Sequence, residues 1–224
     1  GMAAVDSYRN DPVCLAVRSL VNSGVVVLAA GGNNGADANG NKVYGHVHSP
    51  GNEPSAITVG ATNTFGTDER NDDVVTTYSS RGPTRSYWTD ESEVKHYDNL
   101  VKPDLVAPGN KIIDAEAAGN LLVTQNPQLD AGISSIPERK MMYLSGTSMA
   151  TPVAAGAAAL MLETNPTLTP NLIKVLLTYS AQPLAGYNML EQGAGQINIK
   201  GAVGLARLVR TNLREQRPLG DPLL

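Results

Sequence analysis

Ten consecutive residues without a charged or strongly polar side chain, Val153–Leu162, restrict the fold of this chain more than any other segment. Most of them are alanine or glycine, and the segment is apolar on every helical face, which is typical of a helix buried in a domain core. Pro152 precedes the segment and suits the first turn of a helix, where a missing N–H has no partner to lose. The sequence therefore predicts a fully buried helix that begins at Pro152.

Ser148 lies just before this predicted helix, in the polar stretch Leu144–Pro152. Free N–H groups and the positive end of the helix dipole favour negative charge at such a position. A serine hydroxyl that attacks a carbonyl group creates an oxyanion beside itself and needs this environment. Ser148 is therefore a candidate nucleophile; the alternative is a Ser/Thr-rich helix cap. Ala150 excludes the Gly-x-Ser-x-Gly elbow of the α/β-hydrolases.

A second apolar segment, Val25–Ala30, is rich in β-branched residues and predicts a strand buried on both faces of a parallel sheet. Asp11 and Pro12 are suited to begin a helix ahead of it and Gly24 to end that helix. Its predicted buried face consists of Val13, Ala16, Val17, Leu20 and Val21. The strand is followed by a turn, Gly31–Gly35. We expect further strands at 56–61 and 111–115, and a helix capped by Thr169 and Pro170 with Leu172, Ile173, Val175, Leu176 and Leu177 on its buried side.

The motif Gly146–Pro152 resembles the nucleophile motif of the subtilisin-like serine proteases, the subtilases. In that family the serine attacks the peptide carbonyl. The resemblance extends from about Asp6 to Val209 and implies an α/β fold: the C-terminal portion of the three-layer subtilase domain, with a parallel sheet flanked by helices and its first strands missing. It also implies further strands at 74–80, 102–109 and 193–199 and a closing helix at 200–209. It further implies a serine endopeptidase that acts through an acyl-enzyme, with Ser148 as the catalytic nucleophile.

The segment Val25–Gly35 resembles the subtilase strand and turn that carry the side-chain donor of the oxyanion hole. The resemblance assigns this role to Asn33, whose amide would donate to the tetrahedral intermediate. It also assigns Ala30, Gly31 and Gly32 to the pocket for the residue before the cleaved bond. Without the family, a simple turn at Asn33 would be the preferred interpretation.

A serine nucleophile needs a base that is itself oriented by a third group. Subtilases provide these in Asp-Ser/Thr-Gly and His-Gly-Thr-His signatures, and this sequence contains neither. Its three histidines, His46, His48 and His96, do not match the catalytic position. We therefore expect the chain alone to be inactive. It is either a piece of an active serine endopeptidase or a non-catalytic subtilase-derived fragment that serves as a peptide-binding or interaction module.

The predicted organisation is one domain over residues 1–209, with a polar insertion at 84–99, and a tail or linker at 210–224. A parallel sheet without its first strands has an unpaired edge. We expect this edge to be covered by self-association or by the missing N-terminal portion of the domain. The substrate implied by the family is a peptide or protein.

Composition excludes several other classes of protein. The net charge of −4 and the absence of a basic patch do not predict nucleic-acid binding, and no apolar run is long enough to span a membrane. No metal site is predicted, because His46 and His48 lack further ligands at a suitable spacing. Both are expected to be exposed loop histidines. No cofactor is predicted; calcium is implied by the family alone, without an identified site. Cys14 is predicted to be a core residue, and the family implies a secreted or cell-surface location.

Overall fold

The computed structural model describes residues 1–212 and has helices on both sides of a small, mainly parallel sheet, as predicted. Its strands are β1 (Met2–Ala3), β2 (Leu28–Ala30), β3 (His48–Ser49), β4 (Ile57–Asn63), β5 (Val74–Val75), β6 (Tyr87–Thr89), β7 (Lys95–Tyr97), β8 (Leu105–Pro108), β9 (Ile112–Ala115) and β10 (Met141–Leu144). Its helices are α1 (Pro12–Asn22), α2 (Leu121–Gln125), α3 (Thr147–Thr164), α4 (Pro170–Ser180), α5 (Met189–Gln192) and α6 (Ile199–Leu208).

Strand β4 is the centre of the main sheet. It pairs in parallel with β2 on one side and with β8 on the other, and β5 adds an antiparallel pair at its end. Val59 and Ala61 of β4 pack in the main core with α3, α4 and α6. Ala29 of β2 packs instead with Val17 and Val21 of α1. The parallel strands are therefore covered by helices, as expected for a sheet of this type.

Helix α1 begins where the sequence predicts. The Asp11 carboxylate accepts hydrogen bonds from the N–H groups of Val13 (2.8 Å) and Cys14 (3.3 Å), which makes Asp11 the N-cap. Cys14 is fully buried, as predicted, and this burial raises the pKa of its thiol to about 12. The predicted face is only partly buried, because Leu20 is exposed.

The prediction for the start of α3 is wrong by five residues. The helix begins at Thr147, so Ser148 lies in its first turn and Pro152 lies inside the helix. Pro152 has no N–H to donate to the carbonyl of Ser148, and the helix tolerates the loss of this one bond. The prediction of burial on every face is also wrong, since Gly156, Ala159 and Leu160 are exposed.

Three predicted strands are shorter than expected or absent. Only the last three residues of Val25–Ala30 form β2, and Val25 is 45% exposed. Only Val74 and Val75 form β5. The segment 193–199 is not a strand; Gln196 alone makes isolated bridges to Val106 and Gln182. β2 begins where its partner β4 begins, at the Leu28–Ile57 pair, and β5 ends just before a turn at 77–78.

The predicted insertion 84–99 contains a two-stranded hairpin, β6–β7, in which the ring of Trp88 stacks on His96 at 4.3 Å between centroids. Thr169 caps α4 as predicted, but Val175 of its predicted buried side is exposed. Of the predicted tail 210–224, residues 213–224 lie outside the described part of the chain. Within residues 1–212, no helix combines the length and apolar character needed to cross a bilayer.

Candidate active site

Ser148 is exposed on the first turn of α3, next to a turn that only glycine adopts readily. Gly146 is the N-cap residue, with φ 154° and ψ 163°, a region of backbone angles essentially restricted to glycine. Its N–H donates to the carbonyl of Gly109 at 2.8 Å, which ties the turn to the end of β8. The hydroxyl of Tyr78 donates to the same carbonyl at 2.9 Å. The backbone in front of Ser148 is therefore fixed by contacts with the sheet.

Asn33 follows β2 and reaches the same turn from the other side. Its Oδ1 accepts hydrogen bonds from the backbone N–H of Thr147 (2.9 Å) and from the Thr147 hydroxyl (3.0 Å). These contacts orient the amide and leave its Nδ2 donor without a hydrogen bond among residues 1–212. A Cβ atom on Gly146 would lie 3.3 Å from this Nδ2. The structure thus brings Asn33 to the residue that adjoins Ser148.

Thr147 connects the two segments, a role that the sequence alone does not predict. It is fully buried, and its Oγ1 also accepts a hydrogen bond from the N–H of Gly32 at 3.1 Å. One hydroxyl therefore contacts both Gly32 and Asn33. The sequence signal that points to Thr147 is its polar side chain directly before the proposed nucleophile, because a buried polar side chain needs hydrogen-bond partners.

Ala30, Gly31 and Gly32, the residues assigned to substrate binding by the resemblance, lie at the end of β2. The N–H of Gly31 donates to the carbonyl of Val59 at 2.9 Å, so this segment continues along the sheet. Gly32 has φ +106°, and a Cβ atom there would lie 2.7 Å from Cδ2 of His48. The three residues are therefore contiguous with Asn33.

His48 was expected to be an exposed loop histidine, and this expectation is wrong. It belongs to β3, is half-buried, and its N–H donates to the carbonyl of Gly31 at 2.9 Å. Burial lowers the pKa of its imidazole. The other two histidines are exposed, and His96 pairs with Asp90 at 2.7 Å in the β6–β7 hairpin.

Within residues 1–212, the Ser148 hydroxyl has no hydrogen bond to a histidine or to any other group. The same part of the chain contains no group of three His, Cys, Asp or Glu side chains that could hold a metal ion. The arrangement therefore holds a hydroxyl and an amide donor together but gives the hydroxyl no base.

An apolar cavity of about 220 Å³ lies beside the first two turns of α3. Met149 and Pro152 form its helical wall, and Pro152 is one turn from Ser148 on the same side of the helix. Strands β9 and β10 form the opposite wall through Ile112, Met142 and Leu144. The cavity is large enough for an apolar side chain next to the hydroxyl.

An exposed serine at the start of a buried helix, with a fixed amide donor beside it, defines a site of the serine-hydrolase type. The sequence matches the Subtilase family model over residues 4–197, and the chain belongs to this family. Membership of the family implies serine peptidase chemistry.

Among curated relatives, the chain is 35% identical to the serine protease AprX of Bacillus subtilis over 198 residues, which cover 88% of this chain and 39% of AprX. It is 32% identical to the subtilisin-like protease SBT6.1 of Arabidopsis thaliana, over 86% of this chain and 15% of that protein. The chain thus spans about two-fifths or less of these two relatives.

Two solved structures are similar to this chain in fold. The self-cleaved protease domain of PatA is similar with a TM-score of 0.57 and 26% identity, over 86% of this chain and 54% of that one. Fervidolysin from Fervidobacterium pennivorans, a keratinolytic enzyme related to subtilisin, is similar in fold with a TM-score of 0.60, over 84% of this chain and 24% of that one.

Proposed function

We propose that this chain is the nucleophile-bearing part of a subtilisin-like serine endopeptidase and is inactive by itself. Ser148 would attack the peptide carbonyl, and Nδ2 of Asn33 would donate to the oxyanion that forms. The observation that carries the proposal is the pair of hydrogen bonds from Thr147 to Asn33 Oδ1, because they leave Nδ2 as a pre-oriented donor next to Ser148.

The chemistry also requires a base for the hydroxyl proton of Ser148. We propose that this base and its orienting carboxylate come from sequence outside these 224 residues, since Ser148 has no such contact within residues 1–212. The substrate residue before the cleaved bond would lie against Ala30, Gly31 and Gly32. The apolar cavity beside Met149 would accept a neighbouring apolar side chain.

The unpaired edge of the sheet at β2 and the exposed apolar surface of α3 support the need for a covering partner. β2 pairs only with β4 among the described strands, and Leu160 of α3 is 46% exposed. We propose that the N-terminal portion of the same catalytic domain covers this surface in the complete enzyme, and that the isolated chain covers it by self-association. A secreted or cell-surface location is part of the proposal through the family resemblance.

The test uses hydrolysis of a peptide ester by the purified 224-residue chain and by the complete protein encoded with its upstream reading frame. We expect no turnover by the chain alone and steady turnover by the complete protein, abolished by Ser148→Ala. Ser145→Ala is the matched control, because Ser145 is exposed and accepts only a backbone hydrogen bond from Lys111.

Two results would reject parts of the proposal. Steady turnover by the 224-residue chain, lost on Ser148→Ala, would show that the chain contains its own base. An upstream reading frame without the two missing signatures, together with an inactive complete protein, would favour the peptide-binding module. The peptide-binding module remains the second candidate function because the Ser148 hydroxyl contacts no base within residues 1–212.

A further inference from the structure

The turn that carries Asn33 is held from one side by the segment 78–81. Asn33 and Asn34 are exposed, whereas Gly32 before them is buried. The carbonyl of Gly32 accepts a hydrogen bond from the N–H of Ser80 at 2.9 Å. The N–H of Asn34 donates to Ser80 Oγ at 3.0 Å. The backbone on both sides of Asn33 is therefore bonded to one residue of this segment.

Gly35 ends the turn and is enclosed by the same segment. Its carbonyl accepts hydrogen bonds from the N–H of Val43 at 3.0 Å and from Nη1 of Arg81. The same Nη1 lies 3.4 Å from the carbonyl of Thr77. A Cβ atom on Gly35 would lie 2.7 Å from Nη1, so a larger residue would displace the guanidinium. Arg81 thus holds the backbone two residues after Asn33.

Arg81 is a buried cation that is itself held by a buried carboxylate. Arg81 is 1% exposed and Glu191 is 2% exposed. Nε of Arg81 donates to Oε1 of Glu191 at 3.3 Å, and Nζ of Lys42 lies 2.7 Å from the same oxygen. Burial raises the pKa of Glu191, but the contacts from Lys42, from the N–H of Asn188 and from Arg81 outweigh it and hold this pKa below its ordinary value. The carboxylate is therefore charged at neutral pH.

Stability alone does not account for this pair. Apolar side chains can often replace a buried ion pair without loss of stability, because desolvation offsets the attraction between the charges. An arginine offers what an apolar side chain lacks, which is a rigid plane of donors that binds two groups at a fixed geometry. Here the two groups are the Glu191 carboxylate in α5 and the carbonyl of Gly35. The pair therefore fixes where the turn lies relative to α5.

We propose that Arg81 is a positioning residue for the oxyanion donor. By holding the carbonyl of Gly35, it keeps the turn in the conformation in which Asn33 Oδ1 reaches Thr147 and Nδ2 is free to donate. Loss of the Arg81 side chain would release Gly35 and let Asn33 move, and a displacement of about 1 Å at a catalytic group can cost about 10²-fold in rate. The catalytic effect rests on the proposed function, whereas the effect on the turn does not.

Steady-state kinetics of the complete enzyme on a peptide ester, well below Tm, tests the catalytic effect. We expect Arg81→Met to lower kcat by about 10- to 100-fold with little change in KM. Arg81→Lys keeps the charge and one donor group, and should recover about threefold or more of this loss. Arg18→Met is the matched control, because Arg18 also bonds to a buried carboxylate, that of Glu53, and to the carbonyl of Tyr8. Its loss should leave kcat unchanged.

Hydrogen exchange in the 224-residue chain tests the effect on the turn without any need for activity. The N–H of Thr147 donates to Asn33 Oδ1, and the N–H of Val106 donates to the carbonyl of Gly195 in the core. In Arg81→Met, we expect the N–H of Thr147 to exchange about tenfold faster, with a much smaller change at Val106. A merely structural role of Arg81 would accelerate both N–H groups equally.

The two measurements separate this inference from the proposed function. An inactive complete enzyme, together with selectively faster exchange at Thr147, would reject the proposed function and support the role of Arg81 in the turn. An active enzyme with unchanged kcat in Arg81→Met, or equal acceleration of both N–H groups, would overturn the positioning role. If Arg81→Met does not fold, Arg81→Lys decides, because its kcat should still lie about threefold or more below that of the wild type. A wild-type kcat in Arg81→Lys would then overturn the positioning role.

Discussion

The two ends of α3 are held in different ways. At the first end, the backbone of Gly146 and both polar groups of Thr147 have partners in other segments of the chain: Gly109, Asn33 and Gly32. Towards the other end, Gly156 and Leu160 present exposed apolar surface, and Val25 next to β2 does the same. The polar contacts that fix the backbone beside Ser148 are thus internal to the chain, whereas part of the apolar surface of α3 is exposed.

This difference explains how the site can be defined although Ser148 contacts no base within residues 1–212. Hydrogen bonds between Asn33 and Thr147 form within the chain and need no partner molecule. Exposed apolar surface on α3 and beside β2, by contrast, favours association. We infer that pre-organisation of the oxyanion donor belongs to this chain and that completion of the site belongs to the surface that covers it.

The largest expected effect is a loss of kcat on substitution of Asn33, which contacts the first turn of α3. In the complete enzyme, Asn33→Ala should lower kcat by about 10²–10³-fold with little change in KM, the range known for the equivalent donor of a subtilisin. Steady-state kinetics on a peptide ester measures this. Asn34→Ala is the control, because only the backbone N–H of Asn34 makes a hydrogen bond, to Ser80. Equal losses of kcat in Asn33→Ala and Asn34→Ala would show that Asn33 has no special role in stabilising the oxyanion.

A pair of glycine substitutions compares packing at the two ends. Gly109→Ala would place Cβ 2.8 Å from the Gly146 carbonyl oxygen and 2.9 Å from Cβ of Ala150, so we expect a loss of about 1–3 kcal/mol in unfolding free energy. Gly156→Ala meets no atom within 4 Å and should add about 0.5–1 kcal/mol, through helix propensity. Urea unfolding of both variants checks the contrast, and a tolerated Gly109→Ala would contradict it.

A charge on the apolar end should weaken self-association. We expect the wild-type chain to sediment as a dimer or larger species at micromolar concentration. Leu160→Lys should raise the dissociation constant of this self-association at least tenfold. Phe65→Lys changes another exposed apolar residue, in the loop after β4, and serves as the control. A monomeric wild-type chain in analytical ultracentrifugation would contradict this prediction.

The smallest effect concerns Cys14, which is buried against Asn52 and Ser49. Its pKa of about 12 in the folded chain lies above the ordinary thiol value of 9.0. The thiol form therefore stabilises the fold fully below pH 9, and this contribution is lost as pH rises towards 12. Iodoacetamide should label the folded chain at pH 8 far more slowly than the urea-unfolded chain. Equal rates would show that the core around α1 opens readily.

Local sequence signals predicted the features that depend on neighbouring residues. Asp11 and Thr169 cap helices as expected because their side chains bond to N–H groups two or three residues away. The parallel sheet and the meeting of Asn33 with the Ser148 turn agree with the family resemblance. Pro152 misled the prediction of the helix start, since proline is commoner in a first turn than in a helix interior.

Features that depend on distant partners were not visible in the sequence. The start of β2 depends on where its partner β4 begins, and the hydroxyl of Thr147 contacts Gly32 and Asn33, which lie more than 100 positions away. The burial of His48 against Gly32 has the same origin. In each of these cases the deciding contact joins segments that no local pattern connects.

The most direct test of the central claim is a crystal structure of the complete enzyme with a phosphonate covalently attached to Ser148. We expect the phosphonyl oxygen to lie about 2.7–3.1 Å from Nδ2 of Asn33, with Asn33 Oδ1 still accepting hydrogen bonds from Thr147. A phosphonyl oxygen directed away from Asn33, or an Asn33 amide released from Thr147, would contradict it.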